Sequence, residues 1–163
     1  MASDYTYCHR CGEVLGEERV AGALRPKCGA CGEVVFLDPK LAVVVIVSQD
    51  SQILMVKRDI DPMMGRWSFP SGYVDRGEVV EEAAVREVRE ETNVDVSLDA
   101  LLGVYSRRGA PVVLVAYAAS IVGGCPSPGD EAQAVKLFAA DDLPPLPFPD
   151  DAKIIADWRR LRD

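Results

Sequence analysis

Three glutamates, Glu87, Glu90 and Glu91, crowd a short run that follows Arg86 and lies downstream of the turn Gly72-Tyr-Val-Asp-Arg-Gly-Glu78. On a helix, at about 100° per residue, spacings of i, i+3 and i+4 bring the three carboxylates within an arc of roughly 100°. Neighbouring like charges destabilise an isolated helix by roughly 0.2–0.5 kcal/mol per pair. Anions in a last turn also oppose the helix dipole, and the helical pattern ends near Asn93. A helix keeps such a face at a cost unless a cation sits on it. Clustered hard oxygen ligands suit Mg²⁺ or Mn²⁺ rather than zinc.

The whole stretch reads Gly72-x5-Glu78-x7-Arg86-Glu87-Val88-x-Glu90-Glu91-x-Asn93-Val94. It resembles the Nudix hydrolase signature at every specified position but one. The exception is Asn93, where the family has glycine. A helix end wants left-handed backbone there, and asparagine tolerates it best after glycine. A Glu-rich run ordinarily means a solvated acidic helix, but Gly72, Glu78 and Arg86 in register set that reading aside.

The resemblance implies an α+β fold, the family's α/β/α sandwich with a mixed sheet, and hydrolysis of a nucleoside diphosphate linked to another moiety. It implies Glu87 and Glu91 as principal ligands of a catalytic Mg²⁺ or Mn²⁺. Glu90 becomes a third ligand or the base that activates water, and the Gly72 carbonyl joins the metal shell. Arg86 belongs to the catalytic set through an orienting salt bridge with Glu78, a phosphate contact being its lesser reading. Relatives often carry a glutamate in the loop before the strand that here is 135–139. That nominates Glu131 as ligand or base, against a merely solvated loop glutamate. Arg107 and Arg108 are candidates to clamp phosphate or ribose, although charged loop tips are commonly just soluble. Phe36, Tyr73, Tyr105 and Phe148 are candidates to stack on a base, with core packing the competing role.

Four of the five cysteines form Cys8-x2-Cys11-x16-Cys28-x2-Cys31. Paired C-x2-C knuckles at this separation read as a closed tetrahedral Cys₄ zinc site. Gly12, Gly29 and Gly32 stand where thiolate loops need tight turns. Disulfides fit an intracellular chain poorly, and a redox C-x-x-C does not explain two knuckles. A ribbon over 5–36 is too small to fold without its metal. His9 is spare, since four thiolates already close the site, and Cys125 receives no role.

At 163 residues the chain has room for one full domain and a small appendage. The expected division is 1–37 as zinc ribbon and 38–163 as hydrolase domain. Lys and Arg number 18 against 26 Asp and Glu, a net charge of −8. That argues against general affinity for nucleic acid or membrane surfaces, both of which rest on basic patches. It leaves anionic small molecules open, because a bound metal supplies local positive charge. The expected partner is a nucleotide, with a homodimer left open. The longest apolar run, Leu41 to Val47, is too short to span a bilayer. The N-terminal residues carry no secretory pattern, so cytoplasm is the default.

Periodicity predicts strands over 41–48 and 52–57, a loop over 58–66 and a helix over 79–92 with Val80, Ala84, Val85 and Val88 as its apolar stripe. One or two strands follow in 94–106, another in 112–122, a short one in 135–139, and a closing helix over 154–161. A zinc ribbon ahead of a Nudix box resembles the NADH-pyrophosphatase group and its smaller relatives. The Ser-Gln-Pro-Trp-type motif of the NADH-specific enzymes is absent from Tyr105-Ser-Arg-Arg-Gly-Ala-Pro111. Pro111 lies near where ADP-ribose pyrophosphatases carry a proline. ADP-ribose or FAD is therefore the expected substrate, NADH the runner-up. A nucleotide-sensing module, with the ribbon docking a partner, is the alternative of another class, and the intact glutamates weigh against it.

Overall fold

The computed structural model describes residues 5–162. The chain divides between Pro39 and Lys40 into two compact units. In the first, β1 (Leu15–Val20) and β2 (Ala23–Cys28) form an antiparallel hairpin with Leu15 opposite Cys28 and Val20 opposite Ala23. Its two-residue turn, Ala21-Gly22, is left-handed at both positions (φ 49° and 81°), matching the right-handed twist of the flanking strands. Two knuckles repeat one hydrogen-bond pattern. Cys8 N–H donates to Glu13 O and Gly12 N–H to Cys8 O; Cys28 N–H donates to Glu33 O and Gly32 N–H to Cys28 O. Gly12 and Gly32 supply the positive φ (78° and 77°) these turns require, and Gly29 does not need one. Among the described residues of this unit the buried apolar ones are Cys8, Pro26, Cys28 and Val35. So small a core does not sustain a fold of this length unaided.

The second unit contains β3 (Lys40–Gln49), β4 (Gln52–Arg58), β5 (Trp67–Ser68), β6 (Ser71–Tyr73), α1 (Val80–Thr92), β7 (Val94–Tyr105), β8 (Val112–Gly124), β9 (Ala132–Ala139) and α2 (Asp151–Arg162). The main sheet runs β5-β4-β3-β8-β7, with β6 also on β3 and β9 also on β4. β3 and β8 are parallel from Lys40↔Val112 to Ser48↔Ser120, and the remaining pairs are antiparallel.

β3 and β4 pair only beside their turn, at Ser48↔Ile53 and Gln49↔Gln52, and then splay apart. The segment Trp67–Tyr73 crosses the resulting gap. It pairs first with β4 (Val56↔Ser68) and then with β3 (Val44↔Ser71, Val43↔Gly72). That crossing brings the backbone of Ser71 and Gly72 beneath α1.

Alternation along β3 explains its unbroken apolar run, because both faces are covered. Val43, Val45 and Val47 join Ala83, Ala84 and Val88 of α1 in one buried cluster, with Val80 and Val85 packed at its margin. Val44 and Ile46 join Ile154, Ile155 and Trp158 of α2 in the other. The result is the expected α/β/α sandwich with a mixed sheet. α2 begins at Asp151, three residues ahead of the periodic signal, because the buried Asp151 carboxylate accepts the Phe148 N–H at 2.9 Å and closes the first turn. Residues 94–105 form one long strand, kinked by register shifts, and β9 begins earlier than its apolar pattern, at Ala132. Among the described residues no helix is long and apolar enough to cross a membrane.

Ile46 is wholly buried on the α2 side. Ile46→Ala should cost roughly 2–5 kcal/mol of unfolding free energy. Chemical denaturation checks this through a lowered midpoint with an unchanged slope.

Candidate metal centres and active site

In the first unit the four cysteine sulfurs all lie within 4.8 Å of one another. Cys8 Sγ is 3.6 Å from Cys31 Sγ, and Cys11 Sγ is 3.5 Å from Cys28 Sγ. A disulfide would bring a pair to about 2.05 Å, whereas four sulfurs about 2.3 Å from one zinc lie about 3.8 Å apart. The donors fit a closed tetrahedral zinc site. The Cys31 backbone N–H is the largest influence holding the Cys28 thiol down, to about 7. The Glu13 backbone also lowers Cys11, but hydrogen bonds with the neighbouring thiols push it up to about 12. His9 stands outside the four and meets Glu33 at 3.5 Å.

In the second unit Arg86 organises the acidic face. Its Nε and Nη2 bind the two Glu78 oxygens at 2.7 and 2.9 Å. Nη1 donates to Glu87 Oε1 at 2.8 Å and Glu90 Oε2 at 3.0 Å, and Nη2 also donates to the Tyr73 carbonyl at 3.0 Å. A guanidinium has five N–H groups, and all five are engaged. Glu78, which also accepts the Asp75 N–H, is pulled down to about 2, chiefly by Arg86.

Gly72 lies directly against Glu87: a Cβ there would stand 1.9 Å from Glu87 Cδ. Only glycine lets this backbone and that carboxylate share the space. Glu91 is 5% exposed, and its Oε2 accepts the Ser71 N–H at 3.1 Å. Among the described residues no Lys, Arg or His nitrogen pairs with it in a salt bridge. Burial pushes the Glu91 carboxyl up to about 8, with Glu87 and Glu131 adding to the rise and Ser71 and Arg58 opposing it. Burial raises Glu87 as well, against Arg86. A buried carboxylate beside others and lacking a cation is the donor chemistry that a hard divalent ion suits. Among the described residues the oxygens are not drawn together as tightly as the thiols. Mutual repulsion, and the separate claims of Arg86 and Ser71, keep them apart.

These groups line one end of a cavity of about 900 Å³. Gly72, Tyr73, Arg86, Glu87, Glu90, Glu91, Arg107, Pro111, Glu131 and Phe148 all border it, whereas Arg108 does not. Arg107 pairs with Asp150 at 3.1 Å. Tyr105 is buried and donates its hydroxyl to Asp157 at 2.7 Å, so its role is packing. Phe36 belongs to the first unit, under Arg25. Trp67 packs edge-on against Phe138.

Arg58 is a cavity residue that sequence reasoning missed. It is buried, its Nε donates to Pro62 O at 2.8 Å, and its guanidinium lies 5.5 Å over the Phe148 ring. Its only signal was a second cation, next to Lys57, where an apolar strand gives way to a loop, which reads as an ordinary solvated strand end.

Because the folded Glu91 pKa lies above its usual 4.5, the metal-free protein should lose stability as pH rises from about 4.5 through about 8. Thermal unfolding between pH 5 and 8.5 in buffer free of added divalent ions should show this fall. Added Mg²⁺ or Mn²⁺ should reverse it by roughly 5 °C or more at the alkaline end. Glu91→Gln should flatten the pH slope and weaken the metal response. A second expectation concerns the cysteines. Elemental analysis should find one zinc per chain, lost together with ribbon structure in Cys28→Ser.

The NUDIX domain family profile matches residues 38–158. The chain is 39% identical over 134 residues to the ADP-ribose pyrophosphatase of Methanocaldococcus jannaschii, a match covering 79% of this chain and 78% of that one. It is 29% identical to the NAD-capped RNA hydrolase NudC of Stutzerimonas stutzeri, covering 89% of this chain but 52% of the relative. Among solved structures, a NUDIX hydrolase from Nitrosomonas europaea superposes with a TM-score of 0.88 at 26% identity, covering 97% of this chain and 93% of the other. With the signature helix, the sandwich and the acidic cavity in agreement, the chain belongs to the Nudix hydrolase family.

Proposed function

We propose that this Nudix hydrolase splits the diphosphate of ADP-ribose, or of a similar dinucleotide such as FAD, into AMP and the phosphorylated remainder. The observation that carries the reading is one cavity in which the buried Glu91, with no ion-pair partner among the described residues, stands beside Glu87 and Glu90, together with arginines and an aromatic ring. Glu87, Glu90, Glu91 and the Gly72 carbonyl are the groups that would hold Mg²⁺ or Mn²⁺. Such an ion, when bound, acts as Lewis acid and template for the anionic diphosphate.

The chain's own residues supply the rest. Arg86 fixes Glu87 and Glu90 in place. Arg58 and Arg107 face the phosphates and ribose, and Phe148 or Tyr73 offers a ring to the base. A carboxylate, Glu90 or Glu131, takes a proton from the attacking water, whose oxygen bonds to one phosphorus as the bridging P–O bond breaks. The proton ends on the departing phosphate or in solvent. Residues 1–37 act as a zinc ribbon that carries no chemistry, and 38–163 as the hydrolase domain, at work in the cytoplasm.

The similarity to an ADP-ribose pyrophosphatase and the position of Pro111 in the cavity wall support this substrate. NADH is the second reading, favoured by the match to NudC across 89% of this chain. The name of that relative also keeps NAD-capped RNA in the comparison, despite the net charge of −8.

The deciding measurement is kcat/KM for ADP-ribose, FAD, NADH and an NAD-capped oligonucleotide with Mg²⁺ or Mn²⁺. Preference for ADP-ribose or FAD is expected, and preference for NADH or the capped RNA would replace it. Whichever of Glu90→Gln and Glu131→Gln removes the base should lower kcat by roughly 10²–10⁴-fold. Glu87→Gln should instead act mainly by raising the metal concentration needed.

A further inference from the structure

The loop after β8 reads Cys125-Pro-Ser-Pro-Gly-Asp-Glu131. Pro126 and Pro128 have no N–H, so Ser127 and Gly129 carry the donors at its centre. Both donate to the end of α1, Ser127 to the Thr92 carbonyl and Gly129 to the Glu91 carbonyl, each at 3.0 Å. These carbonyls belong to the last turn, where intrahelical partners run out. The approach is close: a Cβ on Gly129 would stand 1.7 Å from the Glu90 carbonyl oxygen.

Asn93 completes the junction. Its backbone is left-handed, φ 57° and ψ 24°, as a helix end requires. Its side-chain Nδ2 lies 3.3 Å from both the Ser127 and Pro128 carbonyl oxygens. Carbonyls only accept, so the amide must present its NH₂ edge to them. Two residues beyond Gly129, Asp59 N–H donates to the Glu131 carbonyl at 3.0 Å. Between these fixings Glu131 borders the cavity, close enough to raise the pKa of both Glu87 and Glu91.

We propose that Asn93 is a positioning residue for Glu131: its side-chain amide clasps the 127–128 backbone to the end of α1 and so sets where the Glu131 carboxylate stands. The assignment rests on the reading that Glu131 works in the hydrolytic site. The glycine of the family signature supplies the left-handed turn alone. Here one asparagine supplies both the turn and the clasp.

That difference gives a clean test, because Asn93→Gly keeps the backbone conformation and removes only the amide. Steady-state kinetics on the preferred substrate are compared for wild type, Asn93→Gly, Glu131→Gln and the double variant, with thermal unfolding as a control. Asn93→Gly should lower kcat roughly tenfold to a hundredfold, with KM and melting temperature near wild type. In the Glu131→Gln background it should change kcat little further, since both variants remove the same placement. Gly129→Ala, which forces the loop off the helix, should reproduce the kcat loss. Wild-type kcat in Asn93→Gly, or a full multiplicative loss on top of Glu131→Gln, would overturn the proposal while leaving Glu131 in the site. Wild-type turnover in Glu131→Gln would instead remove the reading on which it rests.

Discussion

The Arg86 guanidinium is the point on which the second unit's site depends. Five N–H groups meet four partners from three segments: Glu78 from the turn, Glu87 and Glu90 from α1, and the Tyr73 carbonyl at the end of β6. A lysine would bring a single three-donor ammonium and could not span this set. The fork fixes the roll of α1 over the Trp67–Tyr73 crossing, and with it the meeting of Gly72 and Glu87. Arg86 is partly exposed, so its value lies less in pairing strength than in geometry. It also leaves Glu91 alone. Its guanidinium satisfies the outer carboxylates and does not reach the buried one.

That division matters for the chemistry. The outer glutamates are held in place by the permanent charge of Arg86. The inner one, under the helix and against the Ser71 N–H, carries the energetic cost of burial. A site built this way is stiff where it must be shaped and unsatisfied where it must bind.

The parts legible in the sequence are those fixed by short spacing. The glutamates, Arg86 and Gly72 share one turn-helix unit, and the paired cysteines share one knuckle geometry. The αL end at Asn93 follows from asparagine's own backbone tolerance. The rest depends on irregular turns and on partners that no period in the sequence marks. Arg58 gains its place from Pro62 and Phe148, and Asp151 becomes a buried cap only when Phe148 folds over it. The ribbon hairpin was hidden by Pro26, which sits inside β2 opposite Glu17, where a proline usually argues against a strand. The asparagine clasp was invisible for the same reason as Arg58: its acceptors lie 34 and 35 residues away.

The splaying of β3 from β4 has a consequence for how the molecule assembles. A hairpin that zipped fully would be a local, early structure, but this one pairs only beside its turn. The rest of β3 waits for β8, about seventy residues on, and the rest of β4 waits for β9. Closing such loops before any contact rewards them slows folding. The crossing that carries Gly72 lies in the gap those late pairings hold open. Nascent chains that have emerged only through α1 would therefore hold the signature residues without the cavity. The acidic face of α1 meets its cavity only where β8 and β9 are in place, because Val112, Leu114 and Glu131, which border that cavity, lie on or beside those strands.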